Sequence, residues 1–271
     1  MEITILVKDD VCQHFWHFVM GEFLPIIYIL QDIKPSKVYL FNNKRDWNSP
    51  FDKFYHELNF NIVMTNCKPK QSQFYKYNKW DFTWNDTDCE KCLKSVEYLK
   101  KLVIESDYPI CSQDKVLVHY RICNEELKQY YKQTYKKIKN EKGVIFSKQY
   151  GSEKRKIKNM DCISNYLDNT KFVNSDNKPM LQQISDYINQ DKLILEHGAG
   201  MFFVLFMNNN SNIIEIKTSS SNKTKNGAVD GLKRICSLKK NNLEQLIVKD
   251  NSSISSYKTA LIEKTHIFNP N

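Results

Sequence analysis

Short apolar runs alternate with helix-like segments along the chain, and this alternation constrains the fold more than any other feature of the sequence. The runs 2–7, 37–41 and 61–64 are rich in β-branched and aromatic residues, which favour strands. The segments 14–30 and 51–58 between them are rich in apolar residues and are interpreted as helices. Strands that alternate with helices are typical of a parallel α/β layer, so we predict one here.

The same alternation returns in the second part of the chain. We predict strands at 143–146, 171–173, 192–195 and 212–216, and helices at 160–167, 180–189 and 199–207. A lysine- and tyrosine-rich helix, 124–142, is interpreted as a bridge between the two parts. The predicted organisation is therefore an N-terminal domain (1–123), the bridging helix (124–142), a C-terminal domain (143–240) and a tail (241–271) that packs back on the body.

Composition excludes several classes of protein. The chain has 271 residues, of which 41% are hydrophobic and 26% charged, as in an ordinary folded protein. No apolar run approaches the roughly 20 residues of a membrane-spanning helix, and the first residues lack the order of a secretory signal. We therefore expect a cytoplasmic protein without a transmembrane segment. Without a signal, the eight cysteines are expected to be reduced thiols, including Cys89 and Cys92, which we place on one helix.

The net charge of +9 is compatible with a phosphate-bearing partner. Asparagine and lysine are abundant throughout, which fits the codon bias of an AT-rich genome and weakens charge as evidence for nucleic-acid binding. The aromatic stretch 68–88 has two interpretations. It is either a stacking platform for bases or sugars, or a long loop held to the body by its aromatic side chains, which we favour.

The sharpest local motif is the predicted strand 193–195 followed by Glu196 and His197-Gly198-Ala199-Gly200, where a helix begins. Glycines let a backbone approach a ligand closely, and the free amides at a helix start attract anions. In an open α/β sheet, ligands bind at this carboxyl end of a strand. The alternative is a tightly packed strand–helix turn in which His197 is a capping or core residue.

A second motif is a basic loop that contains Lys148, Lys154, Arg155, Lys156 and Lys158. Guanidinium groups suit a diphosphate because they present a planar fork of donors, whereas lysine acts as a point charge. The alternative is a solvated loop in a lysine-rich protein.

The third motif places His17 and Glu22 in an otherwise apolar helix that also contains Leu24 and Pro25. Apolar neighbours raise the pKa of a glutamate, and a histidine so placed is able to act as a base. The alternative is that both side chains are satisfied partners beneath a loop. Asp9 or Asp10, at the carboxyl end of the first predicted strand, is the reserve candidate.

These three motifs, in this order, resemble glycosyltransferase family 61, which includes EGF-domain O-GlcNAc transferases and plant β-1,2-xylosyltransferases. The most specific match is His197-Gly198-Ala199-Gly200, then Leu205-Phe206-Met207, then a strand with Glu215. Upstream, Ser147-Lys148 and Arg155-Lys156-Ile157-Lys158-Asn159 match the family's basic loop, with lysine replacing its first arginine. His17, Glu22, Leu24 and Pro25 fit its N-terminal motif.

The resemblance implies a GT-B-type α/β fold, with two Rossmann-like halves facing a central cleft. It implies an inverting, metal-independent transfer of a sugar (N-acetylglucosamine or xylose by analogy) from a UDP-sugar to a glycan or glycoprotein hydroxyl. The donor would be held by a set of residues in the second half, namely Lys148, Arg155, Asn159, His197, Gly198, Ala199, Gly200 and Glu215, the last near the nucleoside. The catalytic base would come from Glu22, His17 or Asp10.

Asp86-Thr87-Asp88 has the Asp-x-Asp form that other glycosyltransferases use to bind Mn²⁺, but so short a pattern is common by chance in polar segments. We therefore expect no metal ion and no cofactor besides the donor substrate. Two other functions remain open at this point. One is a basic nucleic-acid-binding protein, although no nucleic acid is expected as a partner, and the other is a catalytically inactive glycan-binding relative.

Overall fold

A computed structural model describes residues 1–7, 15–70, 72–76, 86–111, 116–119, 170–173, 178–218 and 231–248. The chain forms two compact units. The first comprises Met1–Tyr108 with Pro179–Gln182, and the second comprises Pro109–Lys178 with Gln183–Asn271. Within the first unit, Glu57 accepts the amides of Met180 and Leu181 at 2.7 Å each, which ties this short segment to it.

The first unit contains a parallel sheet. Its described strands are β1 (Glu2–Leu6), β2 (Lys37–Phe41), β3 (Ile62–Thr65) and β4 (Gln73–Tyr75), in the order β3-β2-β1-β4. Its helices are α1 (Phe15–Phe18), a π-helical turn (Val19–Phe23), α2 (Leu24–Ile33), a 3₁₀ helix (Asp52–Glu57) and α3 (Asp86–Ile104). Alternate residues on β1 and β2, among them Ile3, Ile5, Val38 and Leu40, are 0% exposed and form the core of the sheet.

The π-helical turn has a local cause in Pro25. Proline has no amide hydrogen, and its ring crowds the carbonyl of the residue four positions earlier, here Gly21. The amide of Leu24 donates instead to the carbonyl of Val19, five residues earlier. The turn positions Glu22, whose side chain is buried in the first unit.

The second unit contains another parallel sheet. Its described strands are β5 (Val116–His119), β6 (Thr170–Val173), β7 (Lys192–Glu196), β8 (Asn212–Thr218) and β9 (Asn242–Val248), in the order β6-β5-β7-β8-β9. Of its described helices, α4 (Met180–Ser185) belongs to this unit from Gln183 onward, and a 3₁₀ helix (Ala199–Phe206) and α5 (Gly231–Lys239) belong to it throughout. The 3₁₀ helix is almost wholly apolar, and Phe203 stacks on Tyr187 with ring centroids 4.6 Å apart. β7 lies between β5 and β8, and its central residues Leu193, Ile194 and Leu195 are 0% exposed.

The predicted class, α/β with parallel sheets, is confirmed, and the GT-B-type arrangement of the two halves stays a prediction. Several elements differ from the prediction. β4 lies inside the stretch interpreted as a loop, and β9 lies inside the predicted tail. β5 pairs with β6 and β7 in the second sheet, whereas the predicted boundary at residue 123 assigned it to the first domain. The predicted elements at 124–142, 143–146 and 160–167 lie outside the described residues.

Asp86, Thr87 and Asp88 begin α3, and the thiols of Cys89 and Cys92 lie one turn further along it. Both are free cysteines, as expected. Among the helices that the structure describes, none has both the length and the apolar character that crossing a membrane requires.

Candidate active site

The turn that follows β7 contains the first residues of the motif His197-Gly198-Ala199-Gly200. β7 ends at Glu196, and the 3₁₀ helix begins at Ala199. The amide of His197 donates to the carbonyl of Ile216 at 2.9 Å, and the amide of Met201 donates to that of Gly198 at 3.1 Å. Since all strands of this sheet run parallel, the turn lies at its carboxyl edge, where open α/β sheets bind their ligands.

His197 forms a close pair with Glu215 across this edge. The two atoms His197 Nδ1 and Glu215 Oε1 lie 2.5 Å apart, and the second carboxylate oxygen accepts the side-chain amide of Gln245 at 2.6 Å. Glu215 lies beside Leu195 on β7 and beside Gln245 on β9. Its side chain is 1% exposed, whereas that of His197 is 11% exposed. The imidazole therefore joins a buried carboxylate to the surface of the sheet edge.

The contact with Glu215 can determine which nitrogen of the His197 ring carries the proton and how the ring is oriented. A carboxylate is an acceptor only, so its contact with Nδ1 favours the ring with a proton on that nitrogen and fixes the ring orientation. Glu215 also affects Cys236, since burial, aided by the charge of Glu215, raises the pKa of the Cys236 thiol to about 12. The prediction that Glu215 contacts a nucleoside stays untested. In this structure its oxygens contact His197 and Gln245.

The start of the 3₁₀ helix brings Ala199 and Gly200 to the same edge. The first amides of a helix have no partner inside it, and the helix dipole adds a partial positive charge there. Together with a protonated His197, these amides would make the edge attractive to an anion. The structure thus brings together His197, the following residues of the motif and Glu215. Lys148, Arg155 and Asn159 lie outside the described residues.

Glu22, proposed from the sequence as a base, is enclosed within the first unit. Its side chain is 0% exposed, and its two oxygens lie 2.8 and 3.0 Å from Nη1 of Arg45. The hydroxyl of Tyr55 donates to the same carboxylate at 2.8 Å. Arg45 also pairs with Asp52, through Nη2, and stacks on the ring of Trp47. Every group around Glu22 that these contacts identify is therefore another residue of the first unit.

One guanidinium serves two carboxylates in this cluster. Burial raises the pKa of Glu22 to about 7, and the charge of Arg45 and the hydrogen bonds from Tyr55 and Arg45 only partly oppose it. Burial also raises the pKa of Asp52, again against the opposing charge of Arg45. The geometry favours the alternative interpretation of Glu22, a satisfied partner in the interior.

His17, the second proposed base, lies on α1 and is exposed. It lies on the first described helix after β1, and in a parallel α/β layer such a helix begins on the carboxyl side of the strand before it. Asp9 and Asp10, the reserve candidates, lie outside the described residues. The part of the chain that the structure describes contains no group of three or more His, Cys, Asp or Glu side chains placed to hold a metal ion.

Sequence reasoning missed the partners of both carboxylates: Arg45, Asp52 and Tyr55 around Glu22, and Gln245 beside Glu215. One signal could have identified Arg45. The chain has four arginines among 40 cationic residues, so an arginine in a lysine-rich sequence indicates a need for a forked donor. Gln245 has no comparable signal.

Comparison with known proteins bears on the same residues. The model of the family described as Glycosyltransferase 61 matches residues 15–214, a range that contains His17, Glu22 and the turn 197–200. No curated protein matches the chain significantly. The family match covers well over half of the 271 residues and confirms the resemblance found in the sequence. The chain belongs to glycosyltransferase family 61.

Proposed function

We propose that this protein transfers a sugar from a UDP-sugar to a hydroxyl of a glycan or glycoprotein, with inversion at the anomeric carbon and without a metal ion. Membership of the family implies a glycosyltransferase with a sugar donor and an acceptor. The observation that carries the donor half of the proposal is the pair of His197 with Glu215 at the carboxyl edge of the second sheet.

On the donor side, the bond between the anomeric carbon and the diphosphate breaks as the acceptor oxygen attacks, and its electron pair passes to the diphosphate. Fixed donors aimed at that developing charge stabilise the transition state. His197, through Nε2–H, and the amides of Ala199 and Gly200 fit this role. Lys148 and Arg155 would supply neutralising charge, and Asn159 a polar contact, as the family resemblance implies.

On the acceptor side, the attacking hydroxyl must lose a proton to a base. We assign this role to His17 because it is exposed near the carboxyl edge of the first sheet. Glu22 is a poorer candidate because its carboxylate is enclosed and already accepts hydrogen bonds from Arg45 and Tyr55. Changing each residue to glutamine separates the two assignments. His17→Gln should abolish transfer and spare UDP binding, whereas Glu22→Gln should retain turnover.

The proposal is tested first with a panel of nucleotide sugars, including UDP-N-acetylglucosamine and UDP-xylose, by measuring the release of free nucleotide with and without EDTA. We expect UDP release from at least one UDP-sugar, undiminished by the chelator. Loss of release in EDTA would refute metal independence alone. Binding of UDP without release from any donor would indicate an inactive relative.

The second test is thermal stabilisation by UDP, which reports binding to the folded state. Arg155→Ala should remove this stabilisation, whereas Arg234→Ala, which removes an exposed arginine of α5, should preserve it. If neither UDP nor any UDP-sugar stabilises the wild type, and affinity for DNA or RNA falls steeply with salt, the nucleic-acid alternative is correct instead.

A further inference from the structure

Three side chains from successive strands form a hydrogen-bonded row at one edge of the second sheet. His197 follows β7, Glu215 lies on β8 and Gln245 lies on β9. Gln245 is the direct neighbour of Glu215 in the register, and its Nε2 lies 2.6 Å from Glu215 Oε2. Gln245 lies beyond residues 15–214, so the family match assigns it no part in the site.

We propose that Gln245 is a positioning residue of the donor site. This role rests on the proposed function. Neither the sequence motifs nor the family match identified Gln245. By donating to Oε2, Gln245 holds Glu215 as an ionised, acceptor-only carboxylate whose Oε1 faces His197 Nδ1. The proton of the neutral imidazole is thereby kept on Nδ1, and Nε2 is the nitrogen presented to the donor substrate.

The physical basis is the burial of Glu215. A carboxylate whose side chain is 1% exposed depends on its hydrogen-bond donors to remain ionised, since little water reaches it. Gln245 donates to one of its two oxygens, Oε2. Without that donor, Glu215 would take up a proton more readily, and a protonated carboxyl can donate to Nδ1 rather than accept from it. The proton of the imidazole would then move to Nε2.

The same shift of the His197 proton changes how the site binds the diphosphate of the donor substrate. When the ring is protonated, the Glu215 carboxylate stabilises the cation, and Nε2–H donates to the diphosphate. When Glu215 is neutral, the ring donates from Nε2 as a neutral imidazole, and that hydrogen bond to the diphosphate is weaker because the ring carries no charge. Carboxylate partners that orient a functional histidine commonly tune its basicity in this way. Gln245 therefore acts on the substrate through two intermediate side chains and does not touch it.

The test uses Gln245→Met, which removes the donor at similar volume, in the full-length chain. The matched control is Asn242→Ala, which removes a cross-strand contact between the same two strands, from Asn242 Nδ2 to Asn212 Oδ1 at 3.0 Å. The first readout is the ¹⁵N spectrum of the imidazoles without any nucleotide, with His197 assigned by its loss in His197→Gln. The second is the Kd for UDP.

We expect wild type and Asn242→Ala to hold the neutral His197 proton on Nδ1, and Gln245→Met to shift it toward Nε2. The Kd for UDP should rise about tenfold in Gln245→Met and less than about twofold in Asn242→Ala, as expected for one hydrogen bond to a charged group. Equal spectra for Gln245→Met and wild type, or equal shifts in both variants, would overturn the proposal. If the wild type fails to bind UDP, the proposed function fails, while the spectra still decide the role of Gln245.

Discussion

Two buried glutamates, Glu22 in the first unit and Glu215 in the second, have surroundings that differ in a way that matters for function. Glu22 is 0% exposed and Glu215 is 1% exposed, and both accept short hydrogen bonds at both oxygens. The partners Arg45 and Asp52 of the first cluster are themselves buried. The partner of Glu215 is His197, which reaches the surface at the carboxyl edge of a sheet. We therefore regard a buried carboxylate as a candidate for a functional site when one of its partners reaches the surface, as His197 does.

The charges of the two clusters differ as well. The first contains two carboxylates beside one guanidinium, and burial raises the pKa of Glu22 and of Asp52 against the opposing charge of Arg45. The second joins the Glu215 carboxylate to the His197 imidazole and to the side-chain amide of Gln245. We interpret the first cluster as structural and the second as part of the donor site.

The largest expected effect is on stability, from Arg45→Met. Removing the cation leaves two buried carboxylates without their shared partner, and the free energy of unfolding should fall by about 3–5 kcal/mol. Denaturant unfolding followed by tryptophan fluorescence measures it, since Trp47 lies 4.4 Å from the Arg45 guanidinium. Arg234→Met, at an exposed position, should change stability by less than about 0.5 kcal/mol. A loss below about 1 kcal/mol in Arg45→Met would contradict the structural interpretation.

The next effect is a pH dependence that Glu22 gives to stability. Its pKa rises from 4.5 to about 7 on folding, so the folded state binds this proton more tightly than the unfolded state does. The contribution is fully present below pH 4.5 and is lost as pH rises through about 7, by up to about 3 kcal/mol. Unfolding curves of wild type and Glu22→Gln between pH 4 and 8 measure the difference. Parallel curves would show that Glu22 does not titrate in this range.

An effect on catalysis of similar size is expected from His197→Gln. Loss of a donor to the departing group should lower the rate of UDP release about 100-fold, with little change in the unfolding temperature. His56→Gln, at an exposed position in the first unit, is the control and should retain full activity. If His197→Gln unfolds the protein as Arg45→Met does, the contrast between the two clusters is wrong.

The smallest effect is expected from Glu215→Gln, which keeps the shape of the side chain but removes its charge. The Kd for UDP should rise about tenfold, because the contact that fixes the His197 ring at Nδ1 loses its charged acceptor. Isothermal titration on the folded variant measures this change. An unchanged Kd would mean that Glu215 serves only to hold β8 and β9 together.

The elements that could be predicted from the sequence are those that depend on a local pattern of residues. The strands at 37–41 and 192–195 and the turn 197–200 follow from apolar runs and small residues that are adjacent in the chain. β4 has only three residues, Gln73–Tyr75, too few to show an alternation. The π-helical turn at Pro25 also escaped prediction, since proline is compatible with a helix start as well as a bulge.

Side-chain partners that lie far apart in the chain could not be predicted from the sequence. Arg45 lies 23 residues after Glu22, and Gln245 lies 30 residues after Glu215, so no spacing rule connects them. The role of Glu22 depended on such a contact. The sequence around Glu22 suggests a base in an apolar pocket. Only the structure shows that its oxygens already accept hydrogen bonds from Arg45 and Tyr55.

Among the described strands, β9 lies at one edge of its sheet, opposite to β6, with β8 as its one neighbour. Border strands of this kind open more readily than central ones, because half of their backbone N–H and C=O groups have no neighbouring strand to pair with. Brief fraying of β9 would release Gln245 from Glu215 and disturb His197 while β7 and the core stay intact. The affinity of the proposed donor site for its nucleotide would then depend on how firmly this border strand stays paired with β8.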